Sequence, residues 1–360
     1  MAMVKQESLQ LIEKLSNASG VSGFEDEVVA IAKEFSASFA QVEEDHIRNV
    51  YMRVGEHKKD RPTILFDAHS DEVGFIVQAI KPNGTLRFLP LGGWVPNTIP
   101  AHRVRIKTAD GTEIPGIIAS KPPHFMTDAE RKETQTIDDM VIDVGCISAK
   151  EVTEKLNIAI GDPVIPDVAF DYLETMDVMI GKAFDCRIGC ACLLETLQEL
   201  SKKESAFNLI GTMTAQEEVG ERGATVAMNN VKPDLAIVFE GCPADDTFSE
   251  EYMIQSGLKR GPMLRNFDVS MITNPRFQRF AKETAEKYGI PMQSSVRKGG
   301  GTNGAIINLT NKGVPAIVIG VPVRYAHTHY GYVAYQDYEA AYQLAVVIVN
   351  ELDQTIIDSF

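Results

Sequence analysis

The feature that most constrains the fold of this chain is a change of pattern along its 360 residues. Helical spacing alternates with short buried apolar runs up to about residue 72, and this alternation returns after position 163. Between residues 73 and 163, short β-like runs are separated by Pro-Asn-Gly, Leu-Gly-Gly and Ala-Asp-Gly turns. The sequence therefore predicts an α/β fold, with a mixed sheet flanked by helices and a small β-barrel domain inserted into it.

The length of the chain and its hydrophobic content of 44% allow a large core and suggest two structural units. We expect residues 1–72 and 164–360 to form one domain, and residues 73–163 to form the inserted one. Within the first domain, the segment 20–23 separates two predicted helices, with Ser22 expected as a helix cap.

Charge and cysteine usage exclude several classes of protein. The net charge of −15 argues against a nucleic-acid-binding surface, because phosphate binding requires concentrated Lys and Arg. No apolar run is long enough to span a membrane, and the N-terminal sequence has no signal-peptide pattern. Five unevenly spaced cysteines are typical of reduced thiols, so the sequence predicts a cytoplasmic protein.

Two adjacent carboxylates, Glu217 and Glu218, follow the apolar run 207–213, which is typical of a buried strand. Neighbouring side chains diverge, so one carboxylate can bind a metal while the other remains free as a base. Alone, such a pair is more often part of a solvated loop, and its interpretation depends on where other metal-binding residue types fall.

Further metal-binding residue types stand at or just after the ends of predicted strands. They are His69 with Asp71, Asp185, Glu240 and His327. In open α/β sheets, ligands bind outside the carboxyl ends of the strands, so we expect these segments to meet in one crevice. Carboxylates crowded there without a cation would repel one another. A mixed histidine and carboxylate set suits catalytic Zn²⁺ or a similar ion.

Four motifs in this order resemble the M42 family of dinuclear metallo-aminopeptidases, which includes glutamyl and tetrahedral aminopeptidases. They are HSDEVGF at 69–75, FDCRIG at 184–189, QEEVGERGA at 216–224 and RYAHTH at 324–329. The resemblance covers nearly the whole chain. It implies a sheet of the zinc-peptidase type and an inserted domain used for dimerisation, with dimers assembling into a dodecamer.

The resemblance also implies a ligand set for two divalent ions per chain, with zinc favoured and cobalt or manganese as alternatives. His69 and Glu240 would hold one ion, Glu218 and His327 the other, and Asp185 would bridge them. Each metal would then receive three protein ligands and share one water.

Catalytic roles follow from the same resemblance. Glu217 is expected to be the general base for a hydroxide bridging the two metals. Asp71 is expected to hydrogen-bond the ring nitrogen of His69 that faces away from the metal. The peptide bond between Asp185 and Cys186 is expected to be cis.

The predicted function is the release of N-terminal residues from small peptides. Arg265, Arg297 and Thr302 are candidate substrate-binding residues, and the two arginines favour glutamate or aspartate as the released residue. An ordinary ion-pair role for the arginines is the alternative. The sequence does not determine the preferred residue, the native metal or the size of the oligomer.

Three positions depart from the family pattern. Glu240 stands where aspartate is usual, Cys186 where aspartate or asparagine is usual, and Asn303 where an aspartate would place a charge near the substrate. Nearby, His329 is expected at the rim of the site, and His102 in solvent.

Other functions remain open at this point. The same scaffold could carry a metal-dependent deacylase or amidase of small N-acyl substrates, or a glycosidase. It could also be a catalytically inactive scaffold protein, in which the three departures mark decay. A chelator test and metal analysis would distinguish them.

Overall fold

The computed structural model describes residues 4–360, so the first three residues of the predicted catalytic domain lie outside the described residues. Its strands are β1 (Ala40–Glu44), β2 (Val50–Val54), β3 (Thr63–His69), β4 (Gly74–Ile80), β5 (Leu86–Leu91), β6 (Arg103–Lys107), β7 (Glu113–Ala119), β8 (Val141–Asp143), β9 (Pro163–Pro166), β10 (Asp171–Leu173), β11 (Val178–Gly181), β12 (Asn208–Thr214), β13 (Leu235–Pro243), β14 (Met263–Phe267), β15 (Gln293–Val296), β16 (Ala316–Val323) and β17 (Gly331–Ala334). Its helices are α1 (Lys5–Asn17), α2 (Asp26–Ser36), α3 (Ala149–Lys155), α4 (Phe184–Leu200), α5 (Arg222–Asn230), α6 (Pro275–Tyr288), α7 (Asn303–Asn308), α8 (Tyr335–Glu351) and α9 (Gln354–Asp358).

The largest sheet has eight strands in the order β1-β2-β12-β3-β13-β16-β14-β15. Its four central strands, β12, β3, β13 and β16, run parallel to one another. The pairs β1–β2, β2–β12 and β14–β16 are antiparallel, and β15 pairs with β14 in parallel. This mixed sheet confirms the predicted fold class.

Helices cover both faces of the central strands, which explains why those strands are continuous apolar runs without alternation. On one face, α1, α4 and α8 contribute to the largest core, for example through Leu15, Leu193 and Leu344. On the other face, α5 and α7 supply Ala227 and Ile307 to a second core. Burial on both sides fixes the register of β3, β12 and β13, and with it the positions of the residues at their ends.

The inserted segment forms a closed barrel in the order β4-β5-β8-β7-β6-β9. It has its own core, which includes Phe75, Ile106 and Ile142. Its last strand, Pro163–Pro166, begins at position 163, which is the predicted end of the insertion. The small β-barrel predicted from the turn-rich pattern is confirmed.

One local prediction near the N-terminus is wrong. Ser22 does not cap a helix, because α2 begins at Asp26 and its N-cap residue is Glu25. The Ser22 hydroxyl instead donates to Asp71 Oδ2 at 2.6 Å. Within residues 4–360, no helix combines the length and the apolar content that crossing a bilayer requires.

Candidate metal centre

The carboxyl ends of the parallel strands bring distant residues together. His69 is the last residue of β3 and pairs in register with Thr214, the last residue of β12, so the loop carrying Glu217 and Glu218 begins beside it. Glu240 lies on the neighbouring strand β13, and His327 follows β16. Parallel strands ending at one edge therefore place these side chains in a common crevice.

The first group of donors consists of His69 and Glu240; we call it the His69 half. His69 Nε2 lies 3.2 Å from Asp185 Oδ1 and 3.6 Å from Glu240 Oε2. The opposite ring nitrogen, Nδ1, faces Asp71 Oδ1 at 3.4 Å, which is the side on which Asp71 was predicted. The His69 side chain is only 2% exposed, so its orientation is fixed by surrounding protein.

The second group consists of Glu218 and His327; we call it the His327 half. His327 Nε2 lies 3.4 Å from Asp185 Oδ2 and 3.4 Å from Glu218 Oε1. Asp185 thus turns one carboxylate oxygen toward each histidine. The peptide bond between Asp185 and Cys186 is cis, as expected from the family resemblance.

The donor set fits divalent cations. Ligand atoms of Asp185, Glu218 and His327 lie within 4.8 Å of one another, and the same holds for His69, Asp185, Cys186 and Glu240. Glu218 Oε1 is buried without a hydrogen-bond partner among the described residues, and a bound cation would satisfy it. The chemistry of two imidazoles and three carboxylates matches Zn²⁺ and related ions.

The electrostatics of the crevice support the same reading. Burial raises the pKa of Glu218 to about 8 and that of Glu240 well above its ordinary value, because neighbouring carboxylates add to the cost of desolvation. Burial lowers the pKa of His327, but the hydrogen bond to Asp185 and the negative charges of Glu218 and Asp185 together raise it to about 10. Crowding makes ionisation of these carboxyl groups unfavourable, and bound cations would stabilise their ionised forms.

Glu217 lies between the two halves, with a carboxylate oxygen within 4.8 Å of ligand atoms of both His69 and Glu218. Its Oε2 lies 4.0 Å from His69 Nε2, farther than the corresponding atoms of Asp185 and Glu240. Burial, followed by the charges of nearby carboxylates, raises its pKa to about 7. A carboxylate near the ligands but not among the closest donors can exchange a proton with a bound water.

The loop carrying Glu217 is held by its backbone. Asp71 accepts hydrogen bonds from the N–H groups of Glu217 (2.9 Å, Oδ1) and Glu218 (3.2 Å, Oδ2). Gln216, which has a left-handed φ of 56°, donates its N–H to Glu25 Oε1 at 3.2 Å. The buried carboxylates of Asp71 and Glu25 thus accept hydrogen bonds from three successive backbone N–H groups. Sequence reasoning missed Glu25, and its only signal was an acidic residue just after the Gly-Val-Ser-Gly turn.

A buried charge cluster lies beneath the His69 half. Lys182 Nζ donates to Glu72 Oε1 at 2.6 Å, and Arg187 Nη2 contacts the same oxygen at 3.3 Å. Arg187 also donates to the carbonyl of Ser70, one residue after His69, at 2.8 Å. All three charged side chains are at most 1% exposed. The cluster ties the start of α4 to the end of β3.

The candidate substrate-binding residues line the same cleft, which has a volume of about 540 Å³. Arg265 is buried and donates to Asp268 at 2.9 Å and to the Cys242 sulfur at 3.1 Å. Within residues 4–360, Arg297 Nε and Nη2 have no hydrogen-bond partner, and Nη2 lies 3.7 Å from Asp245 Oδ2. Thr302 also lines the cleft, and its hydroxyl accepts from the backbone of the following turn.

The expectation for His329 is wrong. His329 is 1% exposed and stacks on the half-buried His102 with ring centroids 4.0 Å apart, so it is an interior residue and not a rim residue. Asn303 is fully buried and donates to Asp67 at 2.9 Å and to Thr214 at 2.7 Å. Its side-chain amide therefore binds polar side chains of two neighbouring strands inside the protein.

Comparisons with known proteins agree with this geometry. Residues 49–344 match the sequence model of the family described as M42 glutamyl aminopeptidase. A glutamyl aminopeptidase of Lactococcus lactis is 34% identical over 344 residues, covering 95% of this chain and 96% of the relative. A lysyl aminopeptidase of Pyrococcus furiosus is 29% identical over 351 residues, covering 95% and 97%.

Solved structures are similar over almost their whole length. A TET aminopeptidase from a marine sediment archaeon of the Thaumarchaeota superposes with a TM-score of 0.94 at 37% identity, covering 98% of this chain and 99% of that one. The TET1 peptidase of Pyrococcus horikoshii superposes with a TM-score of 0.86 at 27% identity, covering 96% and 100%, and can assemble into a tetrahedron or a large octahedral shell.

Proposed function

This chain belongs to the M42 glutamyl aminopeptidase family, and from that premise we propose that it is a metal-dependent aminopeptidase that releases N-terminal residues from peptides. The observation that carries the proposal is the position of Asp185, whose two carboxylate oxygens face the Nε2 atoms of His69 and His327 at 3.2 and 3.4 Å. A carboxylate between two imidazoles is the arrangement that a pair of bridged cations requires.

The proposed ligands divide between two ions. His69 and Glu240 would hold one, Glu218 and His327 the other, and Asp185 would contribute an oxygen to each. Two divalent ions bring four positive charges, against three negative charges from the carboxylate ligands Asp185, Glu218 and Glu240. Zinc is the proposed native metal, with cobalt or manganese as alternatives.

Glu217 is the proposed general base. Ions bound at this position would lower the pKa of a bound water and polarise the scissile carbonyl. Glu217 would accept the proton of the attacking water and pass it to the departing amine, a role supported by its place beside the ligands. Asp71 would hold Glu217 in place through the backbone, and would orient the His69 ring.

The proposed released residue is acidic. Arg297 supports this because it lines the cleft, and its contact with the Asp245 carboxylate is as long as 3.7 Å. Arg265 already contacts Asp268, so it would contribute positive charge more than a direct bond. Thr302 would form part of the wall. A panel of chromogenic aminoacyl substrates tests the preference, and faster cleavage of lysyl than glutamyl substrates would contradict it.

We also propose that the chain forms homo-oligomers through the barrel, in dimers that build a dodecamer, and that it acts in the cytoplasm. The assembly of the TET1 relative supports the first point. The five cysteines, none of which forms a disulfide, support the second. The mass of the protein in solution, measured by light scattering, tests the oligomeric state.

The experiment that tests the proposed function is the substitution Glu217→Gln, with metal content and peptide hydrolysis measured together. We expect two ions per chain in both proteins, and a loss of kcat of about 100-fold or more in the variant. Glu221→Gln is the matched control, since Glu221 lines the same cleft and should not be needed for turnover. Full turnover in Glu217→Gln would overturn the assignment of the base, and a wild-type protein without metal affinity would overturn the function.

A further inference from the structure

We propose that the inserted barrel completes one of the two ion positions, with Gly93 acting as a positioning residue for His327. The inference rests on the proposed function, because it takes Glu218 and His327 as ligands. It adds that the barrel does more than mediate assembly: its loop between β5 and β6 holds the His327 half in place.

The first support is a hydrogen bond between the two units of the fold. His327 Nδ1 lies 2.8 Å from the carbonyl oxygen of Gly93. When Nδ1 carries the proton and donates to this carbonyl, the lone pair of Nε2 is left free on the side of Asp185 and Glu218. A partner on the far ring nitrogen fixes both the tautomer and the ring orientation of a metal-binding histidine.

The second support is steric. A Cβ atom added to Gly93 would lie 3.1 Å from His327 Nδ1, and one added to Gly92 would lie 3.2 Å from Glu218 Oε2. Gly92 also has a φ of +82°, which favours glycine. The two glycines thus let the barrel backbone approach both side chains of the His327 half closely.

The third support is the anchoring of this loop to the barrel. Trp94, the next residue, donates its indole N–H to the carbonyl of Gly74 at 3.1 Å. Its ring stacks on Phe75 with a centroid separation of 4.7 Å, and it contacts His329 at 5.1 Å. The position of the Gly93 carbonyl is therefore set by the barrel core on one side and by the segment carrying His327 on the other.

Within residues 4–360, His69 has no comparable contact with the barrel. The carboxylates that face its ring belong to Asp71, Asp185, Glu217 and Glu240, all outside the barrel. A change in the barrel loop should consequently weaken one ion position and spare the other.

The test uses the substitution Gly93→Ala in the full-length protein, stripped of metal and titrated with Zn²⁺ by calorimetry. Gly93 has no left-handed φ, so alanine adds only a methyl group beside the His327 ring. We expect two binding steps in the wild type and a loss of about 10-fold or more in the affinity of one step in the variant. Co²⁺ absorption spectra should change for one ion only.

The matched control is Val95→Ala, since Val95 belongs to the same loop, is 60% exposed and should leave both steps unchanged. Trp94→Phe, which keeps an aromatic ring but loses the indole N–H, should weaken the same step as Gly93→Ala by a smaller factor. Equal affinities in wild type and Gly93→Ala, or an equal loss in both steps, would overturn the inference. A wild type that binds no pair of ions would instead overturn the proposed function.

Discussion

The two histidines of the candidate metal centre are held in opposite ways. His69 ends a central strand and is 2% exposed, whereas His327 lies in a loop with a left-handed φ of 59° and is 39% exposed. The His69 half is fixed by the same packing that stabilises the fold. The His327 half is fixed by a few contacts between loops, one of them with the barrel. The comparison teaches that one part of a site can depend on global stability, and the other on local contacts.

The largest expected effect comes from the residue that the two halves share. Asp185→Asn should abolish tight binding of both ions and reduce peptide hydrolysis by several orders of magnitude, because the neutral amide cannot bridge two cations. Metal analysis after dialysis checks this. Retention of two ions would show that the halves bind independently of Asp185.

Separate substitutions of the two histidines should distinguish the halves. His69→Ala and His327→Ala should each lose one ion. Only His69→Ala should also lower the free energy of unfolding of the metal-free protein, by about 2 kcal/mol, because it empties a packed interior position. Denaturant unfolding of the two variants measures the difference. Equal destabilisation would break the comparison.

The loop that spans both halves offers a third test. Glu25→Ala removes the acceptor of the Gln216 N–H and should lower kcat by about 10-fold while leaving KM similar, since Glu217 would lose its fixed position. Glu25→Gln keeps an acceptor oxygen and should restore most of the activity. Steady-state kinetics of the pair checks the prediction, and equal losses in both variants would contradict it.

A change of pH tests the charge cluster beneath the His69 half. Burial lowers the pKa of Lys182 from 10.5 to about 8, partly offset by Glu72. Between these values the unfolded chain binds more protons than the folded one, so the free energy of unfolding should rise as the pH increases from about 8 to about 10.5, by at most about 3 kcal/mol. Denaturant unfolding across this range measures the slope. Lys182→Met should reduce it, and an unchanged slope would contradict the assignment.

Secondary structure was predicted well in both the large sheet and the barrel. The apolar runs at 63–69, 74–80 and 86–91 predict strands, and the structure has strands with these bounds. The outer strand Ala40–Glu44 was missed, because it alternates between half-buried and exposed residues and contains few apolar ones. An edge strand is held by backbone hydrogen bonds to its neighbour, and such bonds can form with almost any side chains, so the sequence gives little indication of them.

The candidate ligands were predictable because strand ends converge whatever the details of the loops. Glu25 and Gly93 were not, because they act on backbone and ring atoms from segments that resemble ordinary turns. His329 was misplaced for a related reason. The left-handed backbone at His327 breaks the alternation of an extended segment, so His329 turns into the interior.

The amino-acid sequence alone determined the fold class, the barrel insertion and the residue types that meet at the sheet edge, because apolar periodicity and strand-end chemistry are local properties. Tertiary structure alone decided which ring nitrogen faces which carboxylate, and which residues hold the loop that carries Glu217. Those contacts join residues as far apart as Gly93 and His327, and their geometry depends on how two separately packed cores meet.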